Sequence, residues 1–194
     1  MKKIKLIFLL LSIAVTSIIT TPSYSHVIPE DQLRNQVYLT TRQALQKVFA
    51  GVHKIKKEGR KLSASQERQV EKLLQRNIEN PRVEFFTARK DGRKLYATVG
   101  KAFANSHPVT KARFVVLMNS QGQLMDCHIM EYQGPQRNEI ISRPFLDQFR
   151  GKSAESDFTA VTSNQGSTPS VKALTQEVQK TLAIYKVLFL DSSN

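Results

Sequence analysis

Apolar and polar positions recur along this chain with two different periods, and the change of period marks out its elements. Val171, Leu174, Val178, Leu182, Tyr185 and Phe189 follow one another at steps of three or four, which places them on one stripe of a C-terminal helix. Pro169 suits the first helical position, where its missing N–H is harmless, and Thr168 before it is the expected N-cap. In the middle of the chain the period falls to two. Phe114, Val116 and Met118 alternate with Arg113, Val115 and Leu117, so at least one face of a sheet is buried there. Residues 83–88 and 94–99 flank Lys90-Asp91-Gly92-Arg93, a hairpin signal because Asp-Gly readily takes the positive backbone angles of a tight turn. Residues 113–118 and 124–132 flank Asn119-Ser120-Gln121-Gly122 and predict a second hairpin.

Residues 26–80 read as helical. Thr40 and Thr41 can cap a helix with Ala44, Leu45, Val48 and Phe49 on its apolar face, and a charged loop with Gly51 and Gly59 as breakers follows. Ser63 and Gln66 then suggest a capping box for a helix carrying Val70, Leu73, Leu74 and Ile78, which Asn80-Pro81 ends. The pattern predicts an α+β fold: a twisted antiparallel sheet with flanking helices, an N-terminal helical pair, and a C-terminal helix after a small-residue loop. The expected divisions are residues 1–25, 26–81 and 82–194.

The first division reads as an export signal. Lys2, Lys3 and Lys5 precede an apolar run over residues 6–19, and Ser23-Tyr24-Ser25 offers small residues for cleavage after Ser25. The run is about fourteen residues, against roughly twenty for a membrane span, which leaves a retained anchor as the weaker alternative. An exported, periplasmic protein is expected.

Charge narrows the partners. The 194 residues carry a formal net charge of +13, and loss of the leader would remove three lysines and no acids. Such an excess favours phospholipid surfaces, acidic redox proteins or phosphates. Nucleic acid is not expected, because the densest basic run, Lys54, Lys56, Lys57, Arg60 and Lys61, has no aromatic residue between its members to stack bases and reads as a solvated face. Cys127 is the single cysteine, so no intrachain disulfide can form; its alternation with Met125 and Ile129 predicts a buried thiol. His26, His53, His107 and His128 lack ligand spacing, and Ser167 and Ser170 lack a nucleophile context, so no metal site and no catalytic residue is assigned and enzymatic activity stays open.

The loop before the C-terminal helix can receive an anion on its free amides and the positive end of the helix dipole, or can simply cap the helix. Its residues also carry a resemblance. Gly166-Ser167-Thr168-Pro169-Ser170 and Lys172-Ala173-Leu174 are similar to the G-A-T-x-S and x-A-V of a flavinylation motif. Upstream, Glu131 and Gly134, then Asn138-Glu139-Ile140, then Phe145-Leu146-Asp147-Gln148-Phe149-Arg150-Gly151-Lys152, are similar to E-x-x-G, G-E-I and F-L-x-Q-F-x-G-K in the same order. These motifs resemble the FMN-binding domain family of the Na⁺-translocating NADH:quinone oxidoreductase, the Rnf complex and exported single-domain relatives, over about residues 95–188. Val161-Thr162 match the family's V-T, Thr159 stands where the family has aspartate with Asp157 close by, and Ser163-Asn164-Gln165 stand as an insertion.

The resemblance implies FMN joined to Thr168 through a phosphoester, with Gly166, Ser167, Ser170 and Thr162 in the cofactor loop and Glu131, Gly134 and Glu139 as ring or loop contacts. It further implies a flavin transferase for maturation and a redox partner protein in the periplasm or at the outer face of the cytoplasmic membrane. Two alternatives stand beside this electron-transfer reading. One is a non-redox descendant whose basic face binds an anionic partner, an anionic membrane surface among the candidates; the other is a non-covalent flavin binder.

Overall fold

Asp91 and Gly92 take φ of 50° and 75°, and this tight turn joins strand β3 (Arg82–Lys90) to β4 (Arg93–Ala104). The second expected hairpin joins β5 (Thr110–Met118) to β6 (Leu124–Gln133), with the Asn119 carboxamide oxygen accepting from the amides of Gln121 and Gln123. The computed structural model describes residues 34–193, so the expected signal segment, its cleavage point and His26 lie outside the described residues. Within them the chain forms an α+β fold: one six-stranded antiparallel sheet in the order β1-β6-β5-β4-β3-β2, flanked by helices on both faces.

The helices expected before residue 82 are present. Helix α1 (Thr41–Val48) is closed by a Thr40/Gln43 capping box and α2 (Ala64–Leu74) by a Ser63/Gln66 box. The charged stretch between them differs from the expected loop. Lys56–Lys61 is strand β2, paired with β3 from Lys56↔Thr87 to Lys61↔Arg82. It is an edge strand, and its charges discourage pairing with another chain on the open side. At the opposite edge Gln36–Val37 forms β1 against Tyr132 and Glu131. The region read as helical therefore supplies both edges of the sheet.

Strand alternation sorts the side chains into two cores. Phe85, Tyr96, Phe114, Val116, Cys127 and Ile129 face α2 and the long helix α5 (Pro169–Tyr185). The five expected stripe positions of α5 from Val171 to Tyr185 are buried, and Phe189, in the π-turn that follows, packs at 5.0 Å from Phe85. On the other face Phe86, Ala88, Leu95, Ala97, Val115 and Leu117 lie under α1.

Two irregularities interrupt the β5–β6 register, one between Arg113 and Phe114 and one between Leu117 and Met118. The second corrects the expected alternation: Cys127 is buried beside Ile129, but Met125 falls out of step and is 38% exposed. Burial pushes the Cys127 thiol up to about 12. Strands β3 and β4 also part company. Their pairing begins at Phe85↔Thr98; before it Arg82–Glu84 pair with β2, and beyond it Val99–Ala104 pair with β5, so the sheet forks.

Gly100 at this fork is a close-approach position. A Cβ there would lie 2.2 Å from the fully buried Phe114 ring. Gly100→Ala should lower stability by about 1–3 kcal/mol through overpacking, read by thermal or urea unfolding, and Phe114→Leu should recover part of the loss in the double variant.

Candidate functional site

The loop that precedes α5 is positioned by the segment carrying the flavin-type motif. Phe145 in α4 (Arg143–Leu146) and Phe149 in the 3-10 turn after it bury their rings edge to face, 5.7 Å apart. Gln148 between them clamps the loop backbone: its side-chain amide donates to the Thr162 carbonyl at 2.9 Å, and the Thr162 amide donates to its oxygen at 3.0 Å. Gly151, at φ 78°, reverses the chain and donates to the Leu124 carbonyl at 2.7 Å. The Lys152 ammonium donates to the Asp157 carbonyl and lies 5.2 Å from the Phe158 ring centre. Gln148 and Lys152 of that motif thus hold residues 157–162 at both ends.

Downstream, Ser163, Asn164 and Gln165 fold into a closed turn with Gly166. Ser163 and Gly166 form an isolated bridge, Gly166 adopts φ 79°, and the Ser163 hydroxyl donates to the Gly166 carbonyl at 2.9 Å. Helix α3 (Arg137–Ile140) pins the turn from above. The Asn164 amide donates to the Glu139 carboxylate, and the Gln136 side-chain amide donates to Gln165 Oε1 at 2.8 Å. Thr168 is the N-cap of α5, its Oγ1 accepting from the Val171 amide at 3.4 Å, and the same hydroxyl donates to Gln136 Oε1 at 2.8 Å. Ser170 is buried and shares a hydrogen bond with Thr110 at 2.8 Å; Gly134, at φ 143°, packs on Thr110 with no room for a Cβ.

Seven of the eight sequence-derived site residues therefore gather around the start of α5: Gly134, Glu139, Thr162, Gly166, Ser167, Thr168 and Ser170. Glu131 does not. It lies on the α1 face, where its carboxylate accepts from Asn35 at 2.5 Å and from Arg113 at 3.2 Å. A register irregularity sets this position. Glu131 pairs with Arg113 and Ile129 with Phe114, so Met130 is an extra residue, and both Met130 and Glu131 fall on the α1 face. Uninterrupted alternation would have kept Glu131 on the side of Cys127 and Ile129.

The arrangement bears on the implied cofactor. A phosphoester at Thr168 would have to displace Gln136 from the hydroxyl, beneath a turn held by the Glu139 carboxylate, which repels a phosphate. As arranged, these residues do not fit the attached group. The nearest cleft, about 520 Å³, lies to one side and is walled by Ser167, Lys172, Asp157, Thr159 and Gln176. Sequence reasoning missed Gln136 and named Gln148 only as a motif position; their reach depends on the left-handed backbone of Gln136 (φ 60°) and on the packing of two phenylalanines around Gln148.

A larger cleft, about 850 Å³, opens in the fork of the sheet. Arg82 and Lys101 stand on its two strand walls, Arg113 on the α1 side, and Arg76 and Lys180 on the α5 side; Glu79, Glu84 and Glu177 also line it. Cations outnumber acids, and Arg82 and Lys101 are exposed. Among the described residues no three His, Cys, Asp or Glu side chains converge as a metal site, and no helix is long and apolar enough to cross a membrane. No protein-family model matches this sequence, and comparison with curated proteins and with solved structures finds no match for it.

The Thr168 hydroxyl has a measurable structural role. Thr168→Val should destabilise the chain by about 1–2 kcal/mol through loss of the cap, whereas Thr168→Ser should stay within a few tenths, both read by chemical denaturation.

Proposed function

We propose that this chain is a non-redox binding module that engages an anionic partner through the forked region of its sheet. The observation that carries the reading is the open cleft at the fork, where cationic side chains from β3, β4, β5 and α5 converge. The contrast with the start of α5 adds support, since that anion-receptive helix end is latched by Gln136, Gln165 and Glu139. Five cations stand against three acids there, and an excess of positive charge around a cleft raises the local concentration of anions and speeds their capture.

Retention on immobilised heparin tests the reading. Arg82→Glu with Lys101→Glu should elute at clearly lower salt than Lys54→Glu with Lys56→Glu, which changes net charge equally but lies at the end of β2 away from Arg82. Equal elution would mean that only net charge matters, and the reading would fall.

One observation favours a second reading: Thr168 is only half-buried, and the cleft of about 520 Å³ with Lys172 in its wall lies beside it. In that reading the chain is an exported flavin carrier whose loop opens for a flavin transferase, with a redox partner protein receiving the electrons. The intact mass of the chain co-expressed with such a transferase separates the two. An FMN-sized increment that Thr168→Val removes would establish the flavin reading, and an unmodified, colourless chain that takes up no added FMN would leave the binding module.

A further inference from the structure

The α1 face of the sheet is covered over only part of its extent. Ala44, Val48 and Phe49 sit above Phe86, Leu95, Ala97, Val115 and Leu117, and there the cover stops. Beyond it β4 and β5 continue bare, with Lys101 opposite Arg113 and Phe103 opposite Lys111. The first of these rows runs on across the sheet, Arg113 to Glu131 and Glu131 to Val37. Phe103 and Val37 are each 60% exposed, and with Met125 they are the exposed large hydrophobic side chains among the described residues. Two of those three therefore share one half-face.

The charges around them are lopsided. Glu131, the acid of the patch, is taken by Asn35 and Arg113. Lys101 and Lys111 are exposed, and no ion pair involves either among the described residues. A shallow recess of about 280 Å³ lies between Lys101, Phe103, Lys111, Arg113 and Glu131; the carboxylate is engaged by Arg113 and Asn35, and the two lysines on the Phe103 side leave a place for a phosphate-sized headgroup beside the ring.

A projecting aromatic ring set among unpaired ammonium groups matches the boundary of a bilayer, where apolar burial and attraction to anionic headgroups act together. We propose that this half-face docks on an anionic phospholipid surface, with Phe103 entering between headgroups and Lys101 and Lys111 meeting their phosphates. This deepens the binding-module reading and rests on it. Charge complementarity selects the anionic surface. The outward projection of Phe103 favours a bilayer, because a ring standing alone can enter lipid, whereas a stable protein interface needs an area of about 1,000 Å² or more with packed complementarity.

The chain contains no tryptophan, so Phe103→Trp in the full-length chain places a single reporter at the patch. Residues 1–33 are common to every variant, so any lipid affinity they carry cancels in the comparison. Adding vesicles containing phosphatidylglycerol should shift the emission to the blue, and pure phosphatidylcholine vesicles should not. Lys101→Gln with Lys111→Gln in the same background should weaken partition about fivefold for each charge removed, whereas Lys54→Gln with Lys56→Gln should leave it nearly unchanged. Sedimentation of Phe103→Ser with the same vesicles reads the effect without the reporter and should show a severalfold loss. No shift on anionic vesicles, an equal shift on neutral ones, or an equal effect of the control pair overturns the proposal. If heparin retention still depends on Arg82 and Lys101 in that case, the partner is another polyanion and the broader reading stands; if that dependence is absent too, both fall.

Discussion

Helix length against strand length is the constraint on which the rest of this structure depends. At about 3.3 Å per residue β4, with twelve residues, extends close to 40 Å, while at about 1.5 Å per residue the 17-residue α5 reaches about 26 Å and the eight-residue α1 about 12 Å. The α5 face can be buried along most of its length, and it holds the larger core. The α1 face cannot. Its residues turn from Leu95, Ala97 and Val99 under the helix to Lys101 and Phe103 beyond it along a single strand, and the polar half of that face follows from the shortness of its cover.

The same economy of cover accounts for the fork. Paired as it is with β2, the beginning of β3 follows an edge strand of charged residues, whereas the end of β4 follows β5. Thr98 marks the parting, its hydroxyl donating to the Glu84 carbonyl at 2.8 Å in place of further ladder bonds. Gly100, one turn of the pleat further, lets the Phe114 ring lie against bare backbone. The split brings Arg82 and Lys101 to opposite banks of one opening rather than to adjacent rungs of a ladder.

What could be read from the sequence was what short-range chemistry decides. Both hairpins, the Ser63/Gln66 box, the Thr168 cap and the stripe of α5 depend on residues a few positions apart, and each was legible. Lys56–Lys61 was not, because nothing within KKEGRK favours a strand; only the waiting edge of β3 makes it one. The face that Glu131 takes was not legible, because a bulge at Met130 shifts the alternation by one, and bulges are set by the partner strand as much as by the strand itself. The candidate site was legible as a neighbourhood, since seven of its residues do meet at the start of α5. Its closure was not, because Gln136 reaches Thr168 across 32 positions of chain.

That closure also decides how the resemblance bears on function. The distinctive residues of the upstream motif do mechanical work: Gln148 fixes Thr162, Lys152 fixes Asp157, and Phe145 and Phe149 pack edge to face on either side of Gln148. These clamps have a structural role of their own, because removing one would leave paired backbone groups without partners whether or not a ligand is bound. The Ser163-Asn164-Gln165 turn supplies hydrogen-bond partners to Gln136 and Glu139. A turn that satisfies the groups around an anion site from within the chain takes the place of the anion. Arg82, Lys101 and Lys111, exposed cations that no ion pair engages among the described residues, lie away from that turn and line the fork and the bare half-face of the sheet.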